Sequence, residues 1–189
     1  MSTTIKKLFV VILSLYLFIN ICEAKNMYPV NISRGETPND VGAGCEVTLS
    51  DENCGEGAEF SLRIVFTEGT WVGEYNPKKA FWTGYKSMNF SAFNSLNRKV
   101  TMAVGIMDEV SFNNNGGRKS LIVMPFELKS GMNNVRLSLE DVKSQDGRIS
   151  DMKKIKKWYI SYKYFPENKW EEKGSGEFTV FISNLRLEN

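Results

Sequence analysis

No histidine occurs among the 189 residues. This removes Ser-His-Asp and Cys-His nucleophilic machinery, histidine proton shuttles, and nearly every zinc or copper site built on imidazole. Acid–base chemistry without histidine would need two carboxylates flanking a glycosidic bond. The candidates Asp108-Glu109, Glu140-Asp141 and Glu171-Glu172 are adjacent pairs. Adjacent residues on an extended chain point to opposite faces, a poor arrangement for an acid and a nucleophile. A tyrosine–arginine lyase stays open as a lesser alternative, but the chain reads as a non-enzyme. Its other chemical resource is aromatic. Trp71, Tyr75 and Trp82 lie in the irregular stretch 67–84, and Tyr159 lies in an alternating run.

The elements that must position these rings are strands. Segments 46–50, 60–66, 85–94, 100–106, 121–128, 134–139, 155–165 and 176–187 alternate apolar and polar residues or form short apolar runs. Turn residues separate them, most clearly Asn113-Asn114-Asn115-Gly116-Gly117. Period two dominates, and only 140–144 or 150–154 has room for a helical turn. About eight strands, each with one apolar parity, close as an all-β, two-sheet antiparallel sandwich of jelly-roll type. A composition of 42% hydrophobic and 24% charged residues is that of a globular protein. The net charge of +2 gives no reason to expect a nucleic-acid partner.

Lys6 and Lys7 precede an apolar run, Leu8 to Ile21, too short to span a bilayer comfortably and suited to a secretory signal. Cys22-Glu23-Ala24 places small residues for a cut after Ala24. The expected organisation is a signal peptide at 1–24, an extended segment at 25–43 and one domain at 44–189. The product would be extracellular or periplasmic, without a stable membrane span. In such a compartment Cys45 and Cys54 read as a disulfide that stabilises by roughly 2.5 kcal/mol. Lys153-Lys154-Ile155-Lys156-Lys157 reads as a solvated turn entering a strand anchored by Ile155, balanced by Glu167, Glu171 and Glu172. Asn31-Ile32-Ser33 and Asn89-Phe90-Ser91 match the glycosylation acceptor pattern.

Three stretches carry a resemblance. Trp82-Thr83-Gly84-Tyr85, running into Met88-Asn89-Phe90-Ser91-Ala92-Phe93-Asn94, is similar to the third strand of galactose-binding-like β-jelly rolls. The passage from Phe126 through Gly131 and Asn133 to Leu139 resembles their strand–Gly–Asn–strand unit, and Phe178 to Leu187 their closing strand. Many relatives are non-catalytic carbohydrate-binding modules, so the resemblance implies a secreted protein that binds a glycan or polysaccharide. The alternative is a cell-surface interaction or structural domain whose partner is an extracellular protein. The closing strand of such modules often supplies an aspartate to a structural calcium where Ser183 stands here. A hydroxyl is the poorer ligand, so Asp51 and Glu52 mark either a weakened calcium site or solvated turn residues. No other cofactor is expected.

The resemblance also implies that strands two, seven, four and five share a sheet whose outer face commonly holds the glycan. Parity then turns Arg63, Thr101, Tyr159 and Lys163 outward over a floor of Ala103 and Gly105. Sugars bind such surfaces by stacking on a ring and by hydrogen bonds to hydroxyls. Trp71, Tyr75 and Trp82 either extend the platform or plug the end of the core. Without a ligand the same face is an ordinary solvated sheet surface.

Overall fold

A computed structural model describes residues 26–66, 71–114, 120–162 and 177–189. The alternating segments form strands β2 (Cys45–Ser50), β3 (Ser61–Phe66), β5 (Ser87–Asn94), β6 (Val100–Asp108), β7 (Ile122–Leu128), β8 (Gly131–Ser138), β9 (Ile155–Ser161) and β10 (Phe178–Glu188). Two short strands join them, β1 (Asp40–Val41) and β4 (Val72–Tyr75). Helix among the described residues is confined to α1 (Glu109–Asn113) and a single tight turn at Ile32–Arg34.

The strands make a β-sandwich of two five-stranded antiparallel sheets. The first runs β1-β4-β9-β6-β7 and the second β2-β3-β10-β5-β8. One expectation is corrected here. β3 does not lie beside β9, because it pairs with β2 and β10 in the second sheet, and β4 takes the place beside β9.

Parity sorts the side chains as read from the sequence. Met88, Phe90 and Ala92 of β5 face inward, with Val100, Met102, Val104 and Ile106 of β6 and Trp158 and Ile160 of β9. They fill a single hydrophobic core between the sheets. Such a core is the main favourable contribution to folding. Val30 and Ile32 reach the core from the N-terminal segment, and Met27 bridges Leu187 of β10. The β7–β8 connection is clamped by Asn133, whose Oδ1 accepts the Lys129 N–H at 2.9 Å while its Nδ2 donates to the Lys129 carbonyl at 2.8 Å.

A polar knot closes one end of the first sheet. Asp108, the last residue of β6, is 1% exposed. It caps α1 by accepting the Ser111 N–H at 2.8 Å, and it accepts the Asp151 N–H at 2.8 Å. Arg148 grips the same carboxylate with both guanidinium ends, at 2.6 and 2.9 Å. Burial works against the charge, but Arg148, the two backbone N–H groups and the Ser111 hydroxyl outweigh it. The carboxyl is therefore held well below the usual range. This fixes Asp108 as a structural anchor rather than half of an acid–base pair.

The expected disulfide is also corrected: Cys45 and Cys54 are free thiols. Cys45 pairs with Phe66 at one end of the β2–β3 ladder, whereas Cys54 follows Ser50 at the other end. Five extended steps separate their neighbourhoods by about 16 Å. A disulfide needs Cα atoms within roughly 7 Å. Cys54 Sγ instead donates toward the Asp51 and Glu52 carbonyls. Alkylation of unreduced, denatured protein should label both cysteines in peptide maps. A Cys45–Cys54 cross-linked peptide would contradict this arrangement.

Candidate functional site

The first sheet presents a smooth outer face because its central positions are small. Register places Asp40, Gly73, Tyr159, Gly105 and Val123 in one row across β1, β4, β9, β6 and β7. A Cβ on Gly105 would overlap the Tyr159 ring, 2.5 Å from its hydroxyl oxygen. The ring therefore lies down on the β6 backbone, half-buried, and the expected small-residue floor is its seat.

Beside Tyr159, Lys157 occupies the same parity of β9. Its ammonium stands 4.8 Å from the centroid of the Trp71 ring and 5.7 Å from that of Tyr159, within cation–π range of both. Asp40 holds the ammonium from the other side at 2.6 Å. Trp71 lies against Gly42, where a Cβ would come within 3.0 Å of the indole. Two half-buried rings are thus bridged by one cation whose charge is balanced inside the protein. Rings fixed in this way lose little conformational freedom when a ligand stacks on them.

Tyr75 ends β4 opposite Lys157, 45% exposed, with its ring 5.5 Å from that of Phe112. Thr101 is exposed on the same face, opposite Glu127. It stands two rungs beyond the Tyr159 row, about 13 Å away along the strand. Next to the face, burial pushes the Glu74 carboxyl up, against the pull of the Asn39 N–H that it accepts at 3.1 Å.

Not every residue named from the sequence belongs to this face. Arg63 sits on β3 in the second sheet, between Thr48 and Phe181. Trp82 is fully buried in the core beside Trp158, its indole N–H donating to the Lys79 carbonyl at 2.9 Å. Lys163 lies outside the described residues. Sequence reasoning does not single out Lys157 and Asp40, because Lys157 stands in a charge run that reads as solvated. The run's Ile155 is buried as expected, but Lys154 and Lys156 pair with Glu109 at 3.1 and 3.7 Å.

The residues named for either a weakened calcium site or a solvated turn lie around the turn after β2. Ser183 Oγ accepts the Gly55 N–H at 2.8 Å, so the turn after β2 rests directly on the strand hydroxyls. Asp51 and Glu52 are exposed. Among the described residues no three His, Cys, Asp or Glu side chains converge on one point. A calcium ion takes six to eight oxygen ligands, and Asp51 and Glu52 gain no third carboxylate beside them among the described residues.

Because the Tyr159 ring needs Gly105 beneath it, Gly105→Ala should lift the ring. Tyr159 fluorescence cannot isolate this event among seven tyrosines, so ring-proton NMR shifts are the measurement. The Tyr159 resonances should move while those of the core Trp158 stay in place. Unmoved Tyr159 resonances would mean that the ring is not seated there.

No protein-family model matches the sequence, and no curated protein matches it. Solved structures do resemble the fold. An exo-β-agarase matches at a TM-score of 0.60 with 12% identity over 87% of this chain and 25% of its own. This chain thus spans only a quarter of that enzyme. The module CtCBM11, studied in solution, matches at 0.59 with 12% identity over 89% of this chain and 98% of its own. A family 11 carbohydrate-binding module of a Clostridium thermocellum cellulosomal cellulase matches at 0.51 with 13% identity, over 79% and 85% of the two chains. At these identities the likeness is one of fold.

Proposed function

We propose that this protein is a secreted, non-catalytic carbohydrate-binding module whose ligand lies on the outer face of the first sheet. The observation that carries the reading is the Trp71–Lys157–Tyr159 arrangement: two half-buried rings held by a cation that Asp40 neutralises. Flat rings on a sheet with a glycine floor offer a stacking platform for pyranose C–H faces. Fold neighbours that are carbohydrate-binding modules along nearly their whole length support the same reading. The Lys6-Lys7 start, apolar run and Ala24 support export. Asp108, committed to Arg148, supports binding without turnover.

The test is a glycan array probed with the exported chain, followed by a reducing-sugar assay on any polysaccharide that binds. Binding without release of reducing ends is expected. A silent array, with an envelope protein co-purifying instead, would replace this reading with that of a protein-interaction domain.

A further inference from the structure

The opposite face of the sandwich carries a cleft of about 300 Å³, at the lower end of the range that holds small ligands. A bulge in β10 between Ser183 and Arg186 shapes it. Within the bulge Asn184 takes a left-handed conformation, φ 56°, and its Nδ2 donates to the Glu56 carbonyl at 3.0 Å. Asn89 of β5 lines the cleft and is 7% exposed. Its Nδ2 donates to Ser87 Oγ at 2.8 Å, while its carbonyl oxygen accepts no hydrogen bond among the described residues. That oxygen is not a buried orphan among the described residues; it belongs to a cleft-lining side chain, where water or a ligand hydroxyl can meet it.

The charged groups give that partner a character. Glu188 is shared by two guanidinium groups. It takes Arg186 Nε at 2.6 Å and Arg136 Nη1 at only 3.5 Å. Arg186 also donates to the Asn184 carbonyl at 3.1 Å and is thereby fixed. The Arg136 side chain is 66% exposed, and its Nε and Nη2 are uncommitted among the described residues. With the Asn134 amide, whose Oδ1 is already taken by Ser91 Oγ at 3.2 Å, the cleft has more unused donors than acceptors. Glu56 is the one carboxylate among its lining residues. A ligand rich in acceptors and carrying a planar anion answers this set, since a guanidinium fork matches a carboxylate at two points.

We propose that this cleft is a second saccharide site, selective for a uronate whose carboxylate docks on Arg136 and whose hydroxyls meet Asn89, Asn134 and Asn184. It is independent of the Tyr159 face. The probe is trigalacturonate, titrated at low salt into the full chain, with its methyl ester as the uncharged counterpart. The free acid should bind and the ester at least tenfold more weakly. Arg136→Gln should weaken the free acid at least tenfold, Glu56→Gln should strengthen it, and Tyr159→Ala should leave it within twofold. Arg136 is largely exposed, so its replacement leaves the fold intact, and a melting curve verifies this. Failure to bind the acid, equal binding of the ester, indifference to Arg136→Gln, or loss with Tyr159→Ala would each overturn the site.

Discussion

Asp108→Ala should lower the melting temperature by on the order of 10 °C. The side chain is fully buried and holds three structural pieces together: the start of α1 through Ser111, the Asp151 backbone, and the Arg148 guanidinium. Removing one partner of a buried, hydrogen-bonded ion pair costs about 3–5 kcal/mol, chiefly because the other charge is left unpaired. For a domain of this size each kcal/mol shifts the melting temperature by about 2–4 °C. Asp108→Asn keeps the shape, loses the charge, and should fall between wild type and alanine. The pH dependence follows from the depressed carboxyl. A carboxyl lowered on folding stabilises fully above its unfolded value, near 3.9, and the contribution fades as pH falls toward the folded value. The gap between wild type and Asp108→Ala should therefore be constant from pH 7 to pH 5 and narrow progressively below pH 4. Thermal melts by circular dichroism across that range are the measurement. A loss of less than about 2 °C at neutral pH, or a gap that widens in acid, would show that the knot contributes little to stability.

The contrast between what the sequence disclosed and what it hid has a physical basis. Alternation specifies which side of a strand meets the core, so Met88, Phe90, Ala92, Trp158 and Ile160 were all legible as core. It does not specify which sheet the strand joins, because both sheets bury one face alike. Hence Arg63 has the expected parity but sits in the second sheet. β4 offers only four residues, Val-Gly-Glu-Tyr, too few for alternation to stand out from a loop. Trp82 could be assigned neither to core nor to surface until Lys79 was seen to satisfy its N–H. The thiols illustrate the reverse. The extended run from Cys45 to Ser50 sets Cys54 beyond the far end of a strand, a geometric bar that an oxidising compartment does not remove. Lys157 was also recoverable, since alternation through Tyr159 puts it on the same face.

Trp71→Ala and Tyr159→Ala, combined in one chain, should abolish binding to any polysaccharide that the array identifies. Each ring is half-buried and already held by Lys157, so its freedom is spent before the ligand arrives. Aromatic anchors of this kind each contribute about 2 kcal/mol or more to binding, which is roughly thirty-fold in affinity for either single variant. Both rings lie on the outer face and neither belongs to the hydrophobic core, so the fold should survive with a melting temperature lowered by only a few degrees. Trp82→Phe supplies the opposite control. That ring is fully buried against Trp158, so its truncation should lower the melting temperature and leave affinity nearly unchanged. Lys157→Met separates the two roles of the cation. If the ammonium only braces the rings, affinity should fall by less than in either ring variant, because the aliphatic stem still packs between them. Isothermal titration of all five variants, the two single ring variants included, against one oligosaccharide decides the matter. Affinity that tracks the melting temperature across the set, rather than the presence of Trp71 and Tyr159, would remove the ligand from this face.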